Sequence, residues 1–176
     1  IAVIHSALGV KKAGLTTIHA MTSTQNLVDG PHKDLRRARA APFNMIPTTT
    51  GAALATTKTI PDLEGKFDGL AIRVPVIVGS ISDITMVVGK KTTVEEVNEI
   101  FKKAKENPIY KGVLETTEEP LVSSDVIGSP FSSIVDLTMT RVIDGDLVKV
   151  LSWYDNEWGY SHRLVDMAQL LGSPII

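Results

Sequence analysis

The chain has 176 residues, 43% hydrophobic and 22% charged, with a net charge of −2, the make-up of one ordinary folded domain. That balance gives no electrostatic basis for a nucleic-acid or membrane partner, and no apolar run reaches the roughly 18 residues a membrane span needs. With no cysteine, the chain has no disulfide, no thiolate zinc site and no cysteine nucleophile of its own.

The first residue is isoleucine and no signal-peptide pattern follows, so the sequence reads as a piece of a longer protein. Ile1 to Leu8 carries apolar residues at helical spacing without a start signal, as in the second half of a helix, with Gly9 as its stop. Lys11 to Thr24 reads as the first strand. Within it stands Thr16-Thr17-Ile18-His19-Ala20-Met21-Thr22-Ser23-Thr24-Gln25. In an extended chain Thr22 and Thr24 share a face and offer paired hydroxyls, which suits the oxygens of a phosphate. A regular strand would point His19 to the other face, so the strand must end or bend near Met21 for all three to meet one substrate. Two readings of His19 stand at this point: an acid/base group, or a hydrogen-bonded structural histidine in an apolar strand.

Gln25 to Pro47 has no period, a turn at Asp29-Gly30-Pro31, and clustered Arg36, Arg37 and Arg39. It predicts a long loop whose arginines form a solvated surface or an interface. Pro47 to Ala53 opens a short helix that a threonine can cap, with free N–H groups suited to an anion. After a turn at Pro61 to Gly65, Leu70 to Val78 reads as a strand in which Arg73 needs an anionic partner or an edge position. Ser80 to Val88 is the next strand. Thr92-Thr93-Val94-Glu95 fits a capping box for an amphipathic helix that ends at Asn107-Pro108. Strands follow at Gly112 to Thr116, Ser132 to Val142 and Asp146 to Tyr154, the last two a hairpin through Asp144-Gly145. An aromatic and amide cluster, Ser152 to Ser161, then leads into a helix to Leu171. It either shapes a small-molecule pocket or plugs the core. No Gly-rich dinucleotide loop, P-loop or metal-ligand spacing occurs.

Taken together, several of these stretches resemble phosphorylating glyceraldehyde-3-phosphate dehydrogenase, over essentially the whole chain. His19 to Gln25 is similar to the family's His-Ala-x-Thr-x-Thr-Gln segment. Asp34 to Ala41 resembles its arginine-bearing S-loop, and Thr49-Thr50-Gly51-Ala52-Ala53 its Ser/Thr-Thr-Gly-Ala-Ala turn. Arg73-Val74-Pro75 and Ser152 to Ser161 match nearly letter for letter. The resemblance implies an α+β fold: a mixed, largely antiparallel sheet with helices on one face. Residues 1–176 would be the catalytic domain, and 157–171 a closing helix that packs on a Rossmann domain absent here. It implies His19 as the base that activates a thiol, Thr22, Thr24 and Arg73 as the substrate-phosphate site, and Thr50 and Gly51 as the inorganic-phosphate site. Asn156 would hold the nicotinamide amide of NAD, with Tyr160 beside the ring. The implied partners are glyceraldehyde 3-phosphate, inorganic phosphate and further copies in a cytoplasmic homotetramer.

Two departures qualify that expectation. The family's Ser-Cys-Thr-Thr-Asn nucleophile segment would fall roughly two to three turns before Ile1, at about 3.6 residues per turn, and is absent. Val76 to Gly79 also replaces a usual polar stretch containing asparagine. The sequence alone leaves open the related erythrose-4-phosphate dehydrogenase, or a non-catalytic folding and assembly module.

Overall fold

A computed structural model describes residues 1–172. Its strands are β1 (Val10–Ala20), β2 (Ile46–Thr49), β3 (Phe67–Val74), β4 (Ser80–Val88), β5 (Leu114–Thr117), β6 (Ser133–Ile143) and β7 (Leu147–Tyr154). They form one sheet in the order β2-β3-β1-β4-β7-β6-β5. The β1–β3 and β5–β6 pairs are parallel, and the other four neighbouring pairs antiparallel. The expected mixed, largely antiparallel sheet is therefore present.

Helices α1 (Ala2–Leu8), α2 (Ala52–Thr59) and α3 (Val94–Lys105) cover one face. Val97 and Phe101, one helical turn apart on α3, join Ile4 and Leu8 of α1 and Leu63 of a 3-10 turn. Together they pack on Leu15, Met86, Val88, Val135, Val148 and Val150 of the sheet. Each such side chain contributes about 1.5–3 kcal/mol of burial, so this layer holds the sheet flat side to helix side. The opposite face is an open groove lined by Thr16, Asp68, Leu70, Thr85 and the Lys149–Asp83 pair, 2.5 Å apart. The closing helix α4 (Trp158–Gly172) leaves Tyr160, Leu164, Val165, Met167, Leu170 and Leu171 exposed.

Several boundaries differ from the sequence reading, each for a local reason. β1 stops at Ala20, because the Met21 N–H is taken by the Val76 carbonyl at 2.9 Å. β3 runs from Phe67 to Val74 and does not continue to Val78, since Pro75 interrupts it and Val76 turns back onto the Val74 carbonyl. β2 straddles the end of the expected loop, Gln25 to Pro47, and the expected helix opening at Pro47 to Ala53. It is an edge strand, where Pro47 lacks only an N–H that an edge can spare. The capping box lies one residue later than read, with Thr93 and Glu96 exchanging bonds, and Thr92 adds its hydroxyl to the Glu96 carboxylate at 3.0 Å. The hairpin is as expected: Asp144 and Gly145 both take positive φ, 47° and 73°, as a two-residue turn between twisted strands requires.

Candidate active site

The parallel register of β1 and β3 sets His19 directly beside Arg73. One residue after His19 the strand ends, and Thr22 to Gln25 forms a turn. The Gln25 N–H bonds the Thr22 carbonyl at 3.0 Å, and the buried Gln25 side chain accepts the Thr22 N–H at 3.1 Å. That turn brings the Thr22 and Thr24 hydroxyls within 3.0 Å of each other. The pairing foreseen from strand alternation is real, but a turn makes it, and the same turn lets His19 share the site.

Arg73 Nη1 donates to the Ala20 carbonyl at 3.0 Å and to Thr22 Oγ1 at 3.2 Å. From the long loop Arg37 reaches in, donating to Thr24 Oγ1 at 3.4 Å and from Nε to Thr48 Oγ1 at 2.9 Å. Arg73 makes no ion pair among the described residues, and its Nε is buried without a hydrogen-bond partner. Burial lowers its pKa, and the like charge of Arg37 lowers it further. Among the described residues, the only carboxylate in ion-pair reach of the two arginines is Asp34, 3.7 Å from Arg37 Nε. Two guanidiniums held together with one outlying carboxylate repel each other, and an anion with several oxygens relieves that repulsion while bridging the threonine hydroxyls. The cluster has the charge and the donors that an anion would need.

His19 Nδ1 lies 2.7 Å from the Ala20 carbonyl and 2.9 Å from Arg73 Nη1. A nitrogen cannot donate to the first and accept from the second at once. We assign its proton to the shorter contact, because Arg73 already has the Ala20 and Thr22 oxygens to donate to. Nε2 is then the acceptor, the form a base needs. Burial lowers the His19 pKa most; the Ala20 carbonyl raises it in part and the Arg73 charge lowers it again. The ring is therefore neutral near pH 7. It stands edge-on to Tyr154, centroids 6.2 Å apart.

Thr50 and Gly51 lie elsewhere. β2 pairs Ile46 with Arg73 and Thr49 with Leu70, so the backbone of Thr50 is about 13 Å along the strand from the arginine at about 3.3 Å per residue. There Thr50 Oγ1 accepts the Ala52 N–H at 3.2 Å and opens α2. Gly51 has φ −83° and open space where a Cβ would stand, so the fold itself does not require glycine. Asn156 and Tyr160 share a third region, a cavity of about 300 Å³ with Tyr154 and Arg163. Asp155 builds its floor by accepting N–H bonds from Gly128, Glu157 and Trp158, each at 2.8 Å, which starts α4. Asn156 Oδ1 is engaged internally, while its Nδ2 has no partner among the described residues.

The sequence profile described as "Glyceraldehyde 3-phosphate dehydrogenase, C-terminal domain" matches residues 1–156. The chain belongs to that family. Among curated relatives it is 51% identical over 173 residues to glyceraldehyde-3-phosphate dehydrogenase 1 of Streptomyces avermitilis, covering 98% of this chain and 51% of the relative. It is 51% identical to the glyceraldehyde-3-phosphate dehydrogenase of Mycolicibacterium smegmatis and 52% to that of Mycobacterium tuberculosis, covering 98% of this chain and 50% of each. The chain thus spans about half the length of the curated relatives it matches.

Against this glyceraldehyde-3-phosphate dehydrogenase C-terminal domain, the structure brings together four of the residues read from sequence, His19, Thr22, Thr24 and Arg73. It keeps Thr50–Gly51 and Asn156–Tyr160 as separate stations. It adds Thr48 and Arg37; the arginine cluster of the loop reads from sequence as a solvated surface or an interface, because a loop arginine carries no period that marks it as inward. Among the described residues no helix is long and apolar enough to cross a membrane.

Proposed function

We propose that this chain is the catalytic half of an NAD-dependent enzyme that oxidises glyceraldehyde 3-phosphate and phosphorylates it to 1,3-bisphosphoglycerate through a cysteine thioester. The thiol and the dinucleotide domain lie outside these 176 residues. The carrying observation is Arg73, a part-buried guanidinium without a carboxylate that points its donors at the Thr22 hydroxyl and at the carbonyl holding His19. An anion there is fixed next to the histidine, which is what an acyl-transfer site on a phosphorylated aldehyde needs.

In this reading Thr22, Thr24, Arg73 and Arg37 hold the substrate phosphate. His19 Nε2 takes the thiol proton and returns it to the developing oxyanion. Thr50 and the free N–H groups of Gly51 and the α2 start hold the attacking inorganic phosphate, whose charge suits a helix N-terminus. Asn156 Nδ2 would fix the nicotinamide amide and Tyr160 would lie by the ring. NAD supplies the hydride acceptor. The apolar side chains that α4 exposes would pack on the dinucleotide domain, and the enzyme would be a cytoplasmic homotetramer.

The full-length enzyme should reduce NAD with glyceraldehyde 3-phosphate only when phosphate is present, and faster than with erythrose 4-phosphate. Faster turnover of the tetrose would reassign the substrate. The 176-residue chain alone should give no NADH above a blank, and any phosphate-dependent NADH from it would overturn the placing of the nucleophile.

A further inference from the structure

Ser80, the first residue of β4, is 1% exposed and belongs to none of the three stations. Its hydroxyl oxygen accepts the Ala20 N–H at 3.1 Å, and its proton goes to Asn156 Oδ1 at 3.0 Å. Ala20 is the residue whose carbonyl holds His19 Nδ1 at 2.7 Å and Arg73 Nη1 at 3.0 Å. One buried hydroxyl therefore grips the backbone N–H of the residue whose carbonyl orients the histidine, and the amide that lines the Tyr160 cavity.

The Asn156 amide is also fixed in sense. Gly79 N–H, which can only donate, meets the same Oδ1 at 3.2 Å, so that atom is the oxygen and the amide cannot be turned over without facing two donors with a third. Gly79 is itself locked: its φ is 95°, and a Cβ there would lie 2.3 Å from the Ser123 carbonyl. With Oδ1 spent on Ser80 and Gly79, Asn156 has only N–H donors left for a ligand.

We propose that Ser80 is a positioning residue that couples the histidine end of the site to the cofactor end, through the Ala20 N–H on one side and Asn156 Oδ1 on the other. The nature of the ligand rests on the function proposed above; the coupling does not.

The test uses the full-length enzyme. Ser80→Ala should speed hydrogen exchange of the Ala20 amide about tenfold, the scale of one lost hydrogen bond, and raise the KM for NAD by a similar factor. The KM for glyceraldehyde 3-phosphate should stay within about twofold, because its phosphate ligands keep their own bonds. Ser80→Thr, which keeps the hydroxyl, should restore both readouts, and serves equally if the alanine variant fails to fold. In an Asn156→Ala background the serine change should add nothing to the KM for NAD. Additive effects of the two substitutions, or equal rises in both KM values, would reduce Ser80 to a structural residue. An enzyme indifferent to NAD would overturn the proposed function and leave the Ala20 amide to judge the coupling. Unchanged Ala20 exchange in Ser80→Ala would overturn the coupling alone.

Discussion

The two anion stations proposed for this domain are built on different principles. Around Arg73 the groups are side chains, two guanidiniums and two hydroxyls gathered by hydrogen bonds from three chain segments. At Thr50–Gly51 they are backbone N–H groups at the start of α2, with one hydroxyl already used as a cap and no cation bonded to them. A side-chain site carries full charge and holds its anion tightly. A backbone site carries only the partial charge of a helix end. The first suits an anion that must stay through the reaction, the second one that must arrive and leave with product.

The largest expected effect lies beside the side-chain station, at the residue that would make it a catalytic centre. In the full-length enzyme His19→Asn should lower kcat by about 10²–10⁴-fold, the usual range for acid/base catalysis, with little change in substrate binding. The thiol should also lose its fast alkylation near neutral pH. Near-normal turnover would return His19 to the structural reading.

Arg73→Ala comes next. Losing a charged donor from a part-buried anion site should raise the KM for glyceraldehyde 3-phosphate by about 10–100-fold, as expected for roughly 1.5–3 kcal/mol. The KM for inorganic phosphate should hold. If both rise together, the stations are not separate.

Gly51→Ala probes the backbone station, and the expected change is smaller. Because a Cβ meets nothing within 4 Å, the domain's melting temperature should shift by no more than about 4 °C, since Gly and Ala at this position differ by a few tenths to about 1 kcal/mol. The KM for inorganic phosphate should rise about threefold to tenfold, as for one weakened neutral hydrogen bond. A large melting shift with an unchanged phosphate KM would make Gly51 a folding residue.

The same contrast explains what could be read from sequence. α3 was legible because Val94, Val97, Ile100, Phe101 and Ala104 repeat at helical spacing behind a capping threonine. The Asp144–Gly145 hairpin was legible because only that chemistry fits two positive φ values. At the site, His19, Thr22, Thr24 and Arg73 were legible as residues, but their meeting depended on the β1–β3 register, which no local pattern encodes. β2 was missed because four residues including a proline carry too little alternation to declare a strand. Arg37 stands in a visible arginine cluster, but its inward turn, like the bonds of Ser80, depends on partners more than ten residues away.

The smallest effect concerns pH, and it separates His19 from the rest of the chain. Burial, aided by the Arg73 charge, holds the folded His19 pKa below its ordinary value of 6.5. The unfolded chain takes up that proton near the ordinary value, about 6.5, while the folded chain resists it to lower pH. Above pH 6.5 neither state is protonated at His19 and the full contribution to stability is present. As pH falls through that value the unfolded state binds more protons, so stability is lost until the folded ring also titrates. The carboxylates held below their ordinary range, such as Asp155, begin to contribute their own loss only at more acidic pH. Urea midpoints of this chain from pH 7.5 to 5.5 should therefore fall, and His19→Asn should flatten that part of the curve. An anion in the Arg73 pocket should offset part of the fall, because it compensates the charge that opposes imidazolium formation. A wild-type curve that already runs flat, or a variant curve as steep as wild type, would show that Arg73 and burial do not hold His19 neutral.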